Sequence, residues 1–344
     1  MRRSPRRPRA PGSQLAALLA AAALLPGCLA GYPADEDAGH GPADAGLDDA
    51  RVDDAHVADA GEGRDAAELP LADLGQRVIG REATFELATW NLHNFPEDEV
   101  TAARAAELLR ELDLDLIGVQ EISEATTLEA IAAGLGDFAV ALSPGPCYSS
   151  GGCQKTGFLY RRGLLTLPGP LISLFTDDGN AFPLAPQQAQ FLLRRPTGEQ
   201  LPLIAIVVHL KAYPGEENEA RRRLACNQLQ RHIDKILGAD PTAQVALLGD
   251  FNDELEDPQE DNVFTALLEH PEQYFFTTQD PSELGHWSYI PYRSFIDHIL
   301  ITTALEASFG SAVTLAVPLD RWVEEYSYRE VISDHRPVVT RFRW

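Results

Sequence analysis

Positive charge is what this sequence has least of: 28 Lys and Arg stand against 52 Asp and Glu, a formal charge of −24 at neutral pH. That balance excludes a broad basic face for gripping nucleic acid, so any phosphate bound here needs local cations or a metal. The N-terminal apolar run, Leu15–Leu25, has eleven residues, short of the ~20 that a membrane span needs. Only four cysteines occur, and the pair Cys147 and Cys153 is separated by five residues with no second Cys/His pair following, which argues against a Cys-built metal site. A His-Glu-x-x-His pair, a Walker loop and a Gly-x-Ser-x-Gly elbow are all absent, which disfavours zinc-protease, P-loop and α/β-hydrolase chemistry. No long-period repeat is present. What remains is 44% apolar, enough to bury a sizeable core and to exclude wholesale disorder.

Charge is distributed unevenly. Residues 1–31 carry five arginines and no acid, and residues 32–77 carry thirteen acids against three arginines. The arginines at 2, 3, 6, 7 and 9, the short apolar run and the small residues after it describe an export signal rather than a span. The run ends Leu25-Pro26-Gly27-Cys28, which resembles a bacterial lipobox and makes Cys28 the expected lipidation site. Residues 1–28 are thus read as a lipoprotein signal peptide. Residues 29–80, with Asp-Ala repeated at 44–45, 49–50, 54–55, 59–60 and 65–66, lack apolar periodicity and read as a disordered acidic tether. In an oxidising compartment Cys147 and Cys153, which bracket Tyr-Ser-Ser-Gly-Gly, are expected to close as a disulfide. Cys226 lies inside a helical pattern and reads as a buried small hydrophobe. The expected location is the cell envelope, at the outer membrane if the host is Gram-negative and otherwise periplasmic or extracellular, with membrane contact through the lipid alone.

Residues 81–344 form the expected globular domain, in which strands and helices alternate. Strands are predicted at Thr84–Trp90, Leu114–Val119, Leu201–Leu210, Val245–Leu248, Ser294–Thr302 and Pro337–Trp344, and helices over 98–112, 125–135 and 216–237. The long helix is expected to turn Ala220, Leu224, Leu229, Ile233 and Ile236 to the core. The pattern argues for one large α/β domain with strands buried between helical layers. Asn91, Glu121, His209, Asp250, Asn252 and Asp334-His335 each stand at or just past the end of an apolar strand. Polar groups so placed converge on one sheet edge without disturbing the core. Singly each has a plain structural reading, as an Asx turn, a helix cap or a surface pair; six coincidences together do not. Carboxylate and amide oxygens suit a hard divalent cation such as Mg²⁺ and metal-assisted attack on phosphorus.

The ordered set Thr89-Trp90-Asn91-Leu92, Val119-Gln120-Glu121, His209-Leu210-Lys211, Gly249-Asp250-Phe251-Asn252, Ile296-Asp297-His298 and Ser333-Asp334-His335-Arg336-Pro337 resembles the endonuclease/exonuclease/phosphatase superfamily. It is similar to deoxyribonuclease-like and sphingomyelinase-like members, over roughly residues 82–344. The resemblance implies a four-layered sandwich of two packed mixed β-sheets flanked by helices. It implies Glu121 as principal Mg²⁺ ligand with Asn91 and Asp334 beside it, Mn²⁺ as a substitute and Ca²⁺ as a structural ion. It assigns His335, oriented by Asp297, to general base catalysis or charge stabilisation, Asp250 to the attacking water, Asn252 to a phosphate oxygen and His209 to the leaving oxygen. Where deoxyribonuclease-like members carry a phosphate-clasping Arg, this chain has Leu184. Tyr160, Arg161, Lys211 and Arg293 are the expected substrate contacts, and Trp287, Tyr289 and Tyr292 cluster just before Asp297. The function expected is a monomeric exported Mg²⁺-dependent phosphodiester hydrolase, foremost a DNA or RNA endonuclease. Its alternatives are a phosphatase or phospholipase-type enzyme acting on phosphoinositide, sphingomyelin or another small phosphoester, and a catalytically silent binding lipoprotein.

Overall fold

The computed structural model describes residues 79–80, 83–145, 153–323 and 325–344. The signal segment with Cys28, the tether up to residue 78 and Cys147 lie outside them, so neither lipidation nor the Cys147–Cys153 bridge is described. Packing has begun by Ile79, which is fully buried and donates its N–H to Leu112 O at 3.1 Å.

Among the described residues, thirteen strands form two sheets. They are β1 (Thr84–Phe95), β2 (Leu116–Ile122), β3 (Phe138–Leu142), β4 (Lys155–Arg161), β5 (Leu165–Thr166), β6 (Ile172–Ser173), β7 (Gln187–Arg194), β8 (Gln200–His209), β9 (Val245–Asp250), β10 (Tyr274–Phe276), β11 (Asp297–Thr302), β12 (Ser311–Ala316) and β13 (Val338–Arg343). One sheet runs β12-β13-β1-β2-β4-β3; the other runs β10-β11-β9-β8-β7-β5, with β6 on β7. Only β1–β2 and β8–β9 pair in parallel, each through a helical crossover: α1 (Glu99–Leu112) and α3 (Glu216–Ala239), with α2 (Ala125–Gly134) following β2. Both sheets are therefore mixed, as the resemblance implies.

Period-two alternation builds three apolar layers from these strands. Phe85 and Leu87 of β1, with Leu203, Ala205 and Val207 of β8, fill the space between the sheets. Ala88 and Trp90 face α1 and α2, while Ile206 and Val208 face α3. Helix α1 starts where Asp98 accepts from Thr101 N–H at 2.8 Å, a side-chain N-cap that satisfies a donor the helix cannot. On α3 the buried stripe is Ala225, Cys226, Leu229, Ile233 and Leu237; of the expected face Leu229 and Ile233 belong to it, Leu224 and Ile236 pack against the same core, and Ala220 is exposed. Arg222 is buried on the same helix, where its Nε donates to Asp253 Oδ2 at 2.6 Å.

Candidate active site

Strand direction gathers the polar residues. Because β1 and β2 are parallel, Asn91 and Glu121 emerge at one edge of their sheet, and His209 and Asp250, paired in register on parallel β8 and β9, emerge at one edge of theirs. The antiparallel strands complete the arrangement from the other direction. Asp297 opens β11 opposite Asp250, and Asp334-His335 precede β13, whose Val338 lies opposite Thr89. Hydrogen bonds then join the two edges into one cluster. The Asn91 Nδ2 donates to Glu121 Oε1 at 2.9 Å and to Asp250 Oδ2 at 3.0 Å. His209 Nε2 stands 3.6 Å from Asp250 Oδ2 and 3.8 Å from Glu121 Oε1. Asn252 donates its backbone N–H to Asp250 Oδ1 at 2.9 Å and its Nδ2 to Leu210 O at 3.2 Å.

His335 is the most tightly positioned member. Its Nδ1 lies 2.7 Å from Asp297 Oδ2, and its Nε2 lies 3.8 Å from Asp250 Oδ2 and 3.9 Å from Asp334 Oδ1. Ser333 Oγ accepts its backbone N–H at 2.9 Å and itself donates to Asn91 O at 2.7 Å, while Tyr328 OH and Trp90 Nε1 donate to His335 O. With Nδ1 bonded to the carboxylate, Nε2 is the atom turned toward the cluster.

The electrostatics follow from burial and neighbouring charge. Burial raises the Asp250 carboxyl and Asp297 adds to this, against His335 and His209, leaving it near 6. Burial opposes the charged ring of His335, but Asp297, Asp250 and Asp334 outweigh it and lift the pKa to about 10. Burial also works against the charged form of Glu121, yet His209, the Asn91 amide, His335 and His93 together hold its carboxyl below the ordinary range. Asp334 likewise ionises below its usual value, burial being outweighed by His93 and His335.

His93 is a participant the sequence did not single out. Its Nδ1 lies 3.1 Å from Asp334 Oδ1 and its Nε2 3.3 Å from Glu97 Oε1, and the Asp334 hydrogen bond raises its pKa to about 9. The signal was present as a histidine two residues past Asn91, but its partner is far along the chain.

Of the expected substrate contacts, Lys211 and Arg293 lie beside the cluster. Lys211 lies two residues past the His209 strand end, and Arg293 adjoins Tyr292, whose ring is tilted against Tyr289 at 5.8 Å, itself 4.8 Å from the His335 ring. Tyr160 and Arg161 do not join them. Strand β4 runs antiparallel to β2, with Tyr160 opposite Leu116, so both residues fall at the far end from Glu121. There Arg161 is bound to Asp113 and Asp115 at 2.6 and 2.9 Å, and Tyr160 packs on Phe191. Leu184 is buried.

Donor chemistry fits a hard divalent cation: Glu121 and Asp334 are charged, and no sulfur lies among the polar groups joined in this cluster. The expected trio is linked indirectly, however, since the Asn91 Oδ1 accepts His93 N–H at 3.0 Å and Asp334 reaches the rest through His93 and His335. A second grouping, Asp250, Asp297 and His335, has ligand atoms all within 4.8 Å of one another. Asp297 Oδ1 in that group and His209 Nδ1 are buried without a hydrogen-bond partner among the described residues.

Residues 88–335 match the profile of the endonuclease/exonuclease/phosphatase family. The chain belongs to that family. Its members are hydrolases acting on phosphoester bonds and typically use divalent metals. Among solved structures, an endonuclease/exonuclease/phosphatase from Beutenbergia cavernae is similar at 17% identity and a TM-score of 0.55, covering 76% of this chain and 72% of its own. The human Nocturnin catalytic domain with bound sulfate is similar at 15% identity and 0.54, covering 76% and 94%. D. rerio TDP2 complexed with a single-strand DNA product is similar at 16% identity and 0.52, covering 76% and 100%. These likenesses carry the fold. A search of curated protein sequences finds no significant match.

Proposed function

We propose that this family member is an exported, divalent-cation-dependent phosphodiesterase whose substrate is nucleic acid. The observation that carries this reading is the Asn91 amide bonded to both Glu121 and Asp250, which joins the ends of the two sheets into one polar cluster with the Asp297–His335 pair. Glu121 and Asp334 would hold the cation, with the Asn91 amide beside them. When bound, the metal supplies Lewis-acid polarisation of a phosphoryl oxygen. Asp250, facing both histidines, orients the attacking water and takes its proton. His335, protonated on both ring nitrogens, donates Nδ1–H to Asp297 and presents Nε2–H to a non-bridging phosphate oxygen. His209, whose Nε2 lies 3.6 Å from Asp250 Oδ2, would give a proton to the leaving oxygen. Asn252 sits at positive φ (55°), a conformation Asn tolerates better than most residues; its Nδ2, which donates one hydrogen to Leu210 O, would offer the other to a second phosphate oxygen.

Export and lipidation at Cys28 rest on the N-terminal arginines, short apolar run and Leu-Pro-Gly-Cys ending. Nucleic acid as substrate draws support from D. rerio TDP2, which has the same fold and was captured with a DNA product. The test is a substrate panel with and without Mg²⁺: plasmid, single-stranded DNA and RNA, sphingomyelin and p-nitrophenyl phosphate. Mg²⁺-dependent scission of DNA or RNA is expected. Turnover of sphingomyelin or the monoester alone would replace nucleic acid as the substrate, and no turnover of any would leave a binding protein.

A further inference from the structure

In a chain of net charge −24, three guanidinium groups surround one indole beside the candidate active site. Arg336 lies 4.3 Å from the Trp287 ring centroid, Arg293 5.3 Å and Arg321 5.4 Å. Arg336 is buried and neutralised by Asp320 through two 2.6 Å hydrogen bonds, so its task is to hold the indole. Arg293 and Arg321 are exposed and make no ion pair with the described residues. From this cluster an aromatic path leads to the candidate active site: the ring of Tyr292, adjacent to Arg293, is tilted against Tyr289 at 5.8 Å, and Tyr289 lies 4.8 Å from His335. Tyr292 is 77% exposed.

Past the end of the His209 strand an exposed ring again meets a cation. Tyr213, 63% exposed, follows the His209 strand end, and Lys211 Nζ stands 5.0 Å over its ring. Among the described residues, the exposed large apolar side chains include just two aromatic ones, Tyr213 and Tyr292. Tyr213 carries Lys211 over its ring, Tyr292 is next in sequence to Arg293, and each lies within five residues of a candidate catalytic group in sequence. Exposed rings cost hydration free energy unless something covers them.

We infer that Tyr292 with Arg293 and Arg321 on one flank, and Tyr213 with Lys211 on the other, form a two-sided track that binds single-stranded polynucleotide across the scissile phosphate. The inference rests on the nucleic-acid reading above and narrows it to unpaired strands. A stacking ring needs a base whose face is free, which a duplex hides and a single strand offers. Cations beside the rings meet the adjoining phosphates. A lipid headgroup brings one phosphate and no flat face, and leaves the second aromatic–cation pair without a ligand.

The test is fluorescence anisotropy of a labelled single-stranded dodecamer with the full chain in EDTA, so that binding is read without cleavage. Tyr292→Ala and Tyr213→Ala should each weaken binding roughly 5- to 100-fold, and Tyr292→Trp should restore it. Arg293→Ala and Arg321→Ala should each lower the slope of log K against log salt by about 0.7 if one phosphate contact is lost. Because Tyr292 is solvent-exposed, these variants should fold, which their melting curves will report. Unchanged affinity in both tyrosine variants, or a duplex bound as tightly as the single strand, would overturn the track. So would capture by sphingomyelin-containing vesicles that is lost in Tyr292→Ala while the oligonucleotide goes unbound. If the protein hydrolyses bis(p-nitrophenyl) phosphate yet binds no oligonucleotide, the track fails while phosphodiesterase activity stands; if it does neither, the broader reading fails as well.

Discussion

Burial brings Glu121 and Asp250 into one cluster, where like charges repel; the shared Asn91 amide and the surrounding histidines offset that repulsion. The same reasoning makes His335 and Asp297 one functional unit. Losing His335 removes the proton-bearing group, whereas losing Asp297 leaves a ring without its orienter. His335→Ala should lower kcat on the order of 10²–10⁴-fold, Asp297→Asn should lower it less, and the double variant should cost no more than about the His335 loss alone. Independent multiplicative losses in steady-state kinetics would return the pair to a structural role. A different buried carboxyl, Glu86, lies outside this site. Burial and a hydrogen bond to Asp115 push its pKa up to about 9, against Thr84 and Arg341. Since the folded value exceeds the unfolded one, the folded protein holds more protons between the two, and stability falls as pH rises through that window. Glu86→Gln keeps both hydrogen-bonding functions without the titration. Its Tm should exceed wild type by at least about 2 °C at pH 8 and match it near pH 4.5; an equal difference at both values would contradict the assignment.

At the scale of elements, the site depends on two parallel pairs, β1–β2 and β8–β9, that deliver their carboxyl ends to one place. Gly249 shows how little room that leaves. It has φ +147°, and a Cβ there would lie 2.1 Å from Val208 O, in the strand pair that presents His209 and Asp250. Gly249→Ala should destabilise by more than about 1 kcal/mol and abolish activity, as read by thermal melting and a phosphodiester assay; wild-type values for both would show that the β8–β9 register does not position the site. The strand-end pattern was legible in sequence because Asn91, Glu121, His209 and Asp250 each close an apolar run. Strand direction was not. Tyr160 and Arg161 end a basic, aromatic run as plausibly as any, and only the antiparallel pairing of β4 with β2 sends them to the far end. Strand β7 opens with Gln187 and Gln188, whose burial is made possible by bonds to Ala185 O and the His232 ring, contacts a local apolar pattern cannot register. The partition into two sheets was implied by family resemblance alone, since apolar strands look alike whichever sheet they join. His93 escaped notice for a similar reason: its role comes from Asp334 across the fold.

Taken as a whole molecule, the chain combines an acidic surface with an acid-rich site for an anionic substrate, so charge must be managed locally. The histidines of the cluster and the arginines beside Trp287 do this on the protein's side, and a divalent cation would supply the remainder. Among the described residues no helix is long and apolar enough to cross a membrane, so in the proposed arrangement attachment depends on Cys28. Cys28→Ser should move the protein from the membrane to the soluble fraction on cell fractionation, and unchanged membrane association would exclude the lipid anchor. The central claim, divalent-metal phosphodiester hydrolysis at Glu121, meets its most direct test in the cleavage rate of plasmid DNA and bis(p-nitrophenyl) phosphate by wild type and Glu121→Gln across an EDTA–Mg²⁺ titration. The account predicts loss with EDTA, recovery with Mg²⁺ or Mn²⁺, and a Glu121→Gln rate lower on the order of 10²-fold or more with an unaltered melting temperature. A Glu121→Gln protein as active as wild type, or full activity in EDTA, would contradict it.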